Sequence, residues 1–214
     1  MCLDMAKICE SSMILEHRSL HRPTMPILKQ ENDIHPADLL DAPHYLAARE
    51  QAGACWWCVY TVSRREKDLM RKLASKDIAF YGPVVSKRYR SPNGRLRNSF
   101  IPLFANYVFV LADEAERTEM LKTNCVSKCS PVIDQELLVQ QLRQIHHVIK
   151  SGVPLTVESK LTTGDRVSVS RGPFAGYSGI VIRREGKTRL LLSIQFLDKG
   201  VSMEVDEAVL EQVT

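Results

Sequence analysis

Hydrophobic and polar positions follow regular patterns between residues 56 and 150, and these patterns predict a mixed domain of strands and helices. The segment WWCVYTV at 56–62 is aromatic and β-branched, which is typical of a strand. In REKDLMRKLASKDI at 65–78, the apolar residues recur at helical spacing. Further strands are predicted at 78–90 and 99–112, on either side of an Asn-Gly turn, and further helices at 113–122 and 134–150. This order favours an α+β fold in which helices pack on an antiparallel sheet.

The helical pattern stops after residue 150, and the rest of the chain alternates short strands with turns. A polar connector containing Gly152 and Pro154 comes first. Five strand-like segments follow, namely DRVSVS, SGIVIRR, TRLLLSIQFL, VSMEVD and AVLEQV. Short strands at this density predict a small closed β-barrel.

The first 54 residues show neither the sustained period of 2 typical of a strand nor the period of 3.6 typical of a helix. They mix prolines with isolated charges. A short helix is predicted within HPADLLDAPHYLAARE at 35–50, because Pro36 stands where an early helical proline is tolerated. Met25 is a second candidate for the start of translation beside Met1. The predicted organisation is a disordered or partly helical leader (1–54), an α+β domain (55–150), a linker (151–160) and a β-barrel domain (161–214).

The net charge of +4 is distributed unevenly along the chain. Residues 56–100 hold 11 Lys and Arg against three Asp and Glu, whereas residues 151–214 hold eight of each kind. A local excess of positive charge attracts the phosphates of nucleic acids. A solvated basic face without a partner would have the same composition.

The chain has no run of 18 or more apolar residues, and charged residues interrupt its N-terminal segment. Neither a membrane-spanning helix nor a secretory signal is indicated. We therefore expect a cytoplasmic protein with reduced thiols and no membrane partner.

The spacing of Cys55 and Cys58 raises the question of a metal or redox site, since Cys125 and Cys129 would complete four thiolates. The predicted strand argues against zinc, because residues three apart on a strand point to opposite faces. The motif also lies in a predicted strand, whereas a thioredoxin-type motif stands at the start of a helix. We expect no metal and interpret the cysteines as small apolar residues beside Trp57 in the core. A zinc or redox protein is the alternative.

The sequence contains no convincing enzyme signature. It lacks a P-loop, a Rossmann fingerprint and a G-x-S-x-G motif. His146 and His147 fall on a predicted helix, where adjacent residues point about 100° apart and do not face one site. We expect a protein that is not an enzyme and needs no cofactor.

Two groups of motifs resemble a known family. GDRVSVSRGPFAGYSGIV at 164–181, followed by RLLLSIQFL and VSMEVD, resembles the KOW motif. Upstream, Trp57 with VYT, a helix opened by Arg65-Glu66, and PLFANYVFV at 102–110 resemble the N-terminal domain of NusG. Over residues 56–214 the chain therefore resembles the NusG/RfaH family of transcription elongation factors, and its antitermination branch most closely. The resemblance implies a NusG N-terminal domain linked to a KOW (SH3-like) barrel.

The resemblance also implies that PLFANYVFV contacts the paired clamp helices of RNA polymerase, through Phe104, Tyr107 and Phe109. Both faces of this segment are largely apolar, as expected if one face packs on helices and the other meets a partner. A plain core strand is the alternative. The family usually has Pro-Gly where this chain has Ala105-Asn106, and Asn still tolerates the left-handed conformation of such a turn.

The basic segment SKRYRSPNGRLRNS at 86–99 is predicted to form a hairpin. The resemblance places this domain beside DNA near the transcription bubble, and exposed cations around an aromatic ring suit phosphate contact and base stacking. Basic residues also protect hairpin tips and strand edges without any partner. The candidate residues are Lys87, Arg88, Arg90, Arg95 and Arg97, with Tyr89 between them.

The loop RGPFAG at 171–176 is the candidate contact site of the second domain. The resemblance implies that a KOW barrel binds the termination factor Rho or a small-subunit ribosomal protein, here through Arg171, Gly172, Phe174 and Gly179. A turn that only closes the barrel is the alternative. Refolding of this domain into a helical hairpin, as in the RfaH branch, is opposed by its turn glycines.

Together these observations predict a monomeric NusG-like factor that binds RNA polymerase and modulates elongation, termination or antitermination. A ribosome-associated or RNA-binding KOW-domain protein is the alternative. Such a protein would be expected to carry a more basic barrel than the balanced residues 151–214.

Overall fold

The computed structural model describes residues 31–90, 92, 94, 96–158, 164–184 and 186–213. Within these ranges the helices are α1 (Pro43–Gln51), α2 (Glu66–Ser75), α3 (Glu114–Leu121) and α4 (Gln135–Ser151). The strands are β1 (Ile34–His35), β2 (Cys55–Thr61), β3 (Ala79–Tyr81), β4 (Val84–Arg90), β5 (Leu96–Pro102), β6 (Tyr107–Ala112), β7 (Val126–Pro131), β8 (Leu155–Glu158), β9 (Arg166–Val169), β10 (Ser178–Arg184), β11 (Lys187–Ile194), β12 (Lys199–Glu204) and β13 (Leu210–Gln212). The three helices predicted between residues 65 and 150 are confirmed.

Five antiparallel strands form the first sheet, in the order β1-β3-β6-β2-β7. Its centre is β2 against β6, where Trp57 lies opposite Val110 and Tyr60 opposite Tyr107. Aromatic and β-branched residues suit these positions because they pack well on both faces of a pleated sheet. The predicted mixture of helices with antiparallel strands is thus confirmed.

Successive residues of β2 enter two separate cores, as strand alternation predicts. Trp56 and Cys58 pack with α4 on one face of the sheet, whereas Trp57 and Val59 pack with α2 on the other. Met120 of α3 joins the second core. Helices therefore cover both faces, and the sheet needs no outside partner to bury its second face.

The part of the predicted leader that the structure describes, residues 31–54, packs against the first sheet. Strand β1 is the edge strand and pairs with β3. The predicted helix is present as α1, but it begins at Pro43 and not near Pro36 as expected. Leu39 and Leu40 are fully buried in the core that contains α4. Arg143 of α4 donates a hydrogen bond from Nε to the Leu40 carbonyl oxygen at 2.7 Å. The alternative start at Met25 lies outside the described residues.

Six antiparallel strands form a second sheet, in the order β13-β9-β10-β11-β12-β8. Strands β9 to β13 correspond to the five segments predicted from the sequence. Strand β8 lies within the predicted linker and pairs with β12, so that Val157 is opposite Val201. Only Gly152, Val153 and Pro154 separate α4 from the first residue of this sheet.

Strands β4 and β5 form a two-stranded ribbon apart from both sheets. In its register, Lys87 lies opposite Ser99 and Tyr89 opposite Arg97. The predicted hairpin is therefore present.

Helix α4 carries polar contacts between the first domain and the second sheet. The backbone N–H of Gln195 donates to Gln141 Oε1 at 3.2 Å. His147 lies with Nδ1 3.0 Å from the Tyr177 hydroxyl and Nε2 3.3 Å from an Asp41 carboxylate oxygen. None of the described helices combines the length and apolarity that a membrane crossing requires.

Candidate functional site

Two tyrosine rings meet at the start of β6, on the segment singled out by the sequence. Tyr60 and Tyr107 are register partners, with ring centroids 5.1 Å apart and an edge-to-face angle of 66°. Tyr60 is 38% exposed, while Tyr107 is half-buried. Burial raises the pKa of the Tyr107 hydroxyl, so this group stays neutral. Tyr60 and Tyr107, here called the aromatic pair, thus present ring surface to solvent.

The turn before β6 fixes the position of the aromatic pair. Asn106 adopts the left-handed conformation with φ of 67°. Its backbone N–H donates to Glu66 Oε1 at 2.7 Å, and its carbonyl accepts from the Thr61 N–H at 2.8 Å. Glu66 is only 7% exposed and begins α2. A buried carboxylate therefore ties the turn to the helix, and the expected tolerance of Asn for this conformation is observed.

The structure separates the three residues predicted to contact polymerase. Phe104 and Phe109 are 1% and 0% exposed, and both belong to the core that contains α4. Neither ring offers surface to a partner in this conformation. Of the three, Tyr107 alone has exposed surface, and Tyr60 adds to it across the strands.

A cation from the second sheet lies over the Tyr107 ring. The Nζ atom of Lys199 is 5.6 Å from the centroid of the Tyr107 ring. An ammonium group at this distance over a ring face is within the range of a cation–π contact. The second sheet therefore shields part of the Tyr107 ring.

Most of the residues predicted to lie near nucleic acid are exposed on the ribbon. Lys87, Arg88, Arg90 and Arg97 are all exposed, and none of them forms an ion pair in the part of the chain that the structure describes. Tyr89, 45% exposed, shares one face with Lys87 and Arg97 because residues two apart and register partners point the same way. Arg95 lies outside the described residues. Within the described residues, the ribbon thus has cations without ion-pair partners beside an exposed ring.

The candidate residues of the second sheet are divided between a loop and a strand. Arg171 donates from Nη2 to the Ala208 carbonyl at 3.1 Å, and Gly172 is left-handed with φ of 93°. Phe174 packs against Tyr177, with centroids 5.6 Å apart. Gly179 instead lies inside β10, where an added Cβ would come within 2.5 Å of the Leu191 carbonyl oxygen. Close strand packing therefore accounts for this glycine.

The cysteines of β2 lie on opposite faces of the sheet, as strand alternation predicts. Cys58 belongs to the core that contains α4, and Cys55 packs against the other core. Burial raises the pKa of the Cys58 thiol to about 12. A thiol with this pKa stays protonated and is a poor metal ligand or nucleophile.

Sequence reasoning missed Tyr60, Glu66 and Lys199 as parts of this site. Tyr60 could have been found by pairing the predicted strands, because it falls opposite Tyr107 once β2 and β6 are antiparallel. Glu66 and Lys199 reach the site through tertiary packing, and no local pattern marks them.

Comparisons with known proteins identify a family for this chain. The family model described as NusG, "Transcription termination factor nusG", matches residues 54–162. Among solved structures, the crystal structure of an MjSpt4:Spt5 complex in conformation B is 17% identical, covering 74% of this chain and 97% of that chain with a TM-score of 0.24. No curated protein matches the sequence. Because the family match spans more than half of its length, the chain belongs to the NusG family.

Proposed function

We propose that this chain binds RNA polymerase through its NusG domain and modulates elongation, termination or antitermination. The observation that carries the proposal is the aromatic pair, in which Tyr60 is exposed and Tyr107 is half-buried. It lies on the segment where the family resemblance expects the clamp helices to dock. Members of the NusG family are non-enzymatic transcription factors, so the chain acts by binding.

The geometry of the aromatic pair suits a protein contact. Tyrosine rings dominate the energetics of many interfaces because they bury a large apolar surface at a small cost in side-chain entropy. Glu66 and Asn106 hold Tyr107 in place before any partner arrives, which lowers the entropy cost of association. Phe104 and Phe109 support the rings from the core.

The ribbon supports a second contact, with DNA near the transcription bubble. Its cations Lys87, Arg88, Arg90 and Arg97 are exposed, and they fit the negative charge of a nucleic-acid backbone. Tyr89 provides a ring on which a base can stack. These contacts would orient the chain on the transcription complex.

We further infer that the second sheet is the KOW barrel and recruits another component of the transcription machinery, such as Rho or a small-subunit ribosomal protein. Exposed Arg171 and Gly172 are the contact candidates, and Phe174 is partly buried beneath them. Gly179 serves strand packing rather than contact. The balanced charge of residues 151–214 gives no support to a general RNA-binding role.

The polymerase contact is tested by retention of core RNA polymerase on immobilised protein. Tyr107→Ala and Tyr60→Ala are each expected to reduce recovery about tenfold or more, because truncation removes a central aromatic anchor. Tyr89→Ala is the matched control, since Tyr89 is an exposed tyrosine of the ribbon. It is expected to retain full binding when no DNA is present.

Circular dichroism establishes that each variant is folded. Equal recovery by Tyr107→Ala, Tyr60→Ala and the wild type would show that the aromatic pair does not contact polymerase. Absence of polymerase in the wild-type eluate would contradict the proposed function itself.

A further inference from the structure

A cleft of about 860 Å³ lies between the ribbon, the C-terminal end of α4 and strand β8. The aromatic pair is not among its lining residues, so the cleft is distinct from the proposed polymerase contact. Lys87 is the residue that it shares with the basic face of the ribbon.

The walls of the cleft are mainly aliphatic and partly open to solvent. Ile101 of β5 is 36% exposed and Val157 of β8 is 49% exposed. Val85 and Phe100 line the same cleft and are half-buried. Apolar surface gathered in one concavity is typical of a binding site rather than of scattered surface residues.

Two strand edges border the cleft. In the described part of the chain, β4 pairs only with β5, and β8 only with β12. The outer edge of such a strand carries backbone N–H and C=O groups that are available to another strand. Strand β4 is the longer template, with seven residues against four. An extended peptide lying along β4 would place alternate side chains in the cleft.

The charge of the cleft favours an acidic occupant. Lys87 and Lys150 are both lining residues. The lining also includes Asp33, but its carboxyl group already accepts a hydrogen bond from the Val84 backbone. Arg88 and Arg90 lie on the other face of β4, because adjacent residues of a strand point to opposite faces. Acidic side chains on an added strand would lie opposite these cations, which stabilises a pairing of strands.

A buried nitrogen indicates that the cleft can also take a polar group. His146 lines the cleft and is only 4% exposed. Its Nδ1 lies 3.3 Å from the Tyr81 hydroxyl, whereas its Nε2 is buried with no hydrogen-bond partner among the described residues. Buried polar atoms in folded proteins are nearly always paired, so an unpaired one marks a position that a ligand can satisfy.

We propose that this cleft binds an extended peptide segment of a partner protein, in which apolar and acidic residues alternate, as a third strand on the outer edge of β4. The apolar side chains fill the cleft against Ile101 and Val157, and the acidic ones, which alternate with them, point to the opposite face and pair with Arg88 and Arg90. Single-stranded nucleic acid fits less well, because the walls are aliphatic and lack the stacked aromatic platforms that bases require. The site is independent of the proposed polymerase contact.

The test uses the full-length protein and fluorescence anisotropy of a labelled peptide of about ten residues that alternates Val and Glu. Val157→Glu, Ile101→Glu and Arg88→Glu are each expected to weaken its binding about tenfold or more. Ile133→Glu is the matched control, because Ile133 is 96% exposed and lies outside the cleft lining. This variant is expected to bind as tightly as the wild type.

Two further peptides distinguish strand addition from simple charge attraction. One is methylated on alternate backbone nitrogens, and the other has the same composition with all Glu preceding all Val. Both are expected to bind about tenfold more weakly or worse. Thermal unfolding is measured for every variant, and Val157→Thr replaces Val157→Glu if the latter does not fold.

Three results would overturn the proposal. The first is no binding of the alternating peptide, or equal binding of its methylated form. The second is displacement of the peptide by a single-stranded oligonucleotide that binds equally to wild type and Val157→Glu, which would assign the cleft to nucleic acid. The third is dimerisation of the wild type that Val157→Glu abolishes, which would assign it to a second copy of the chain.

Discussion

At the scale of single residues, the conformation of Asn106 decides where the Tyr107 ring points. Its φ of 67° turns the chain sharply into β6. A β-branched residue tolerates this region poorly, whereas Asn and Gly enter it at little cost. The departure from the usual Pro-Gly of the family therefore keeps the turn. It also adds a hydrogen-bonding side chain, since Asn106 Nδ2 lies 3.4 Å from the Tyr60 hydroxyl.

His146 gives the fold a dependence on pH. Burial lowers its pKa from 6.5 to about 4, so the folded protein holds the ring neutral. The unfolded chain binds a proton near pH 6.5, and stability is therefore lost as the pH falls from about 6.5 towards 4. We expect the free energy of unfolding in urea to fall by up to about 3 kcal/mol over this window. His146→Gln should flatten the profile, and His44→Gln, at an exposed position, should leave it unchanged. An unchanged slope in His146→Gln would show that other groups cause the loss.

Several residue positions could be predicted from the sequence because alternation is a local property. The opposite faces of Trp57 and Cys58 follow from their adjacency in a strand. Phe104 could not be placed in this way. It precedes a left-handed residue, so the turn interrupts the period of two and brings Phe104 into the same core as Phe109.

At the scale of elements, α3 depends on a reciprocal cap at its N-terminus. The Asp113 side chain accepts from the Glu116 N–H at 2.8 Å, and Glu116 accepts from the Asp113 N–H at 3.0 Å. Asp113→Ala leaves the first turn without its acceptor and is expected to cost about 1 kcal/mol of unfolding free energy in urea. Asp113→Asn should retain most of that stability, because an amide oxygen also accepts this hydrogen bond. An Asn variant as unstable as the Ala variant would assign the effect to charge instead.

The helices could be predicted because each has a strong local pattern. Strands β1 and β8 could not, because each forms by pairing with a strand that is distant in sequence. The helix expected within residues 35–50 begins only at Pro43, which occupies the first helical position. Strand β8 is only four residues long, and its pairing with β12 crosses more than 40 residues. Strand β1 has two residues and exists through its pairing with β3. Both strands are too short for a sequence pattern to reveal them.

At the scale of the whole molecule, the docked second sheet restricts access to the aromatic pair. Removing the ammonium group over Tyr107 with Lys199→Ala is expected to raise recovery of RNA polymerase about twofold to fivefold, the equivalent of a weak cation–π contact. Lys187→Ala is the control, because Lys187 lies on the same sheet but pairs with Glu204 at 2.8 Å. A lower recovery for Lys199→Ala would mean that this lysine itself contacts polymerase.

The short passage from α4 to β8 determines how far the second domain can travel from the first. Three residues lie between them, and a fully extended chain covers at most about 3.5 Å per residue. If the polar contacts with α4 were released, the first strand of the second domain would still remain within roughly 10 Å of the helix end. The second domain could therefore rotate about the connection but could not diffuse through a large volume. A molecule captured by the second domain would therefore be delivered to a narrow arc beside the ribbon, always on the same side of the transcription complex.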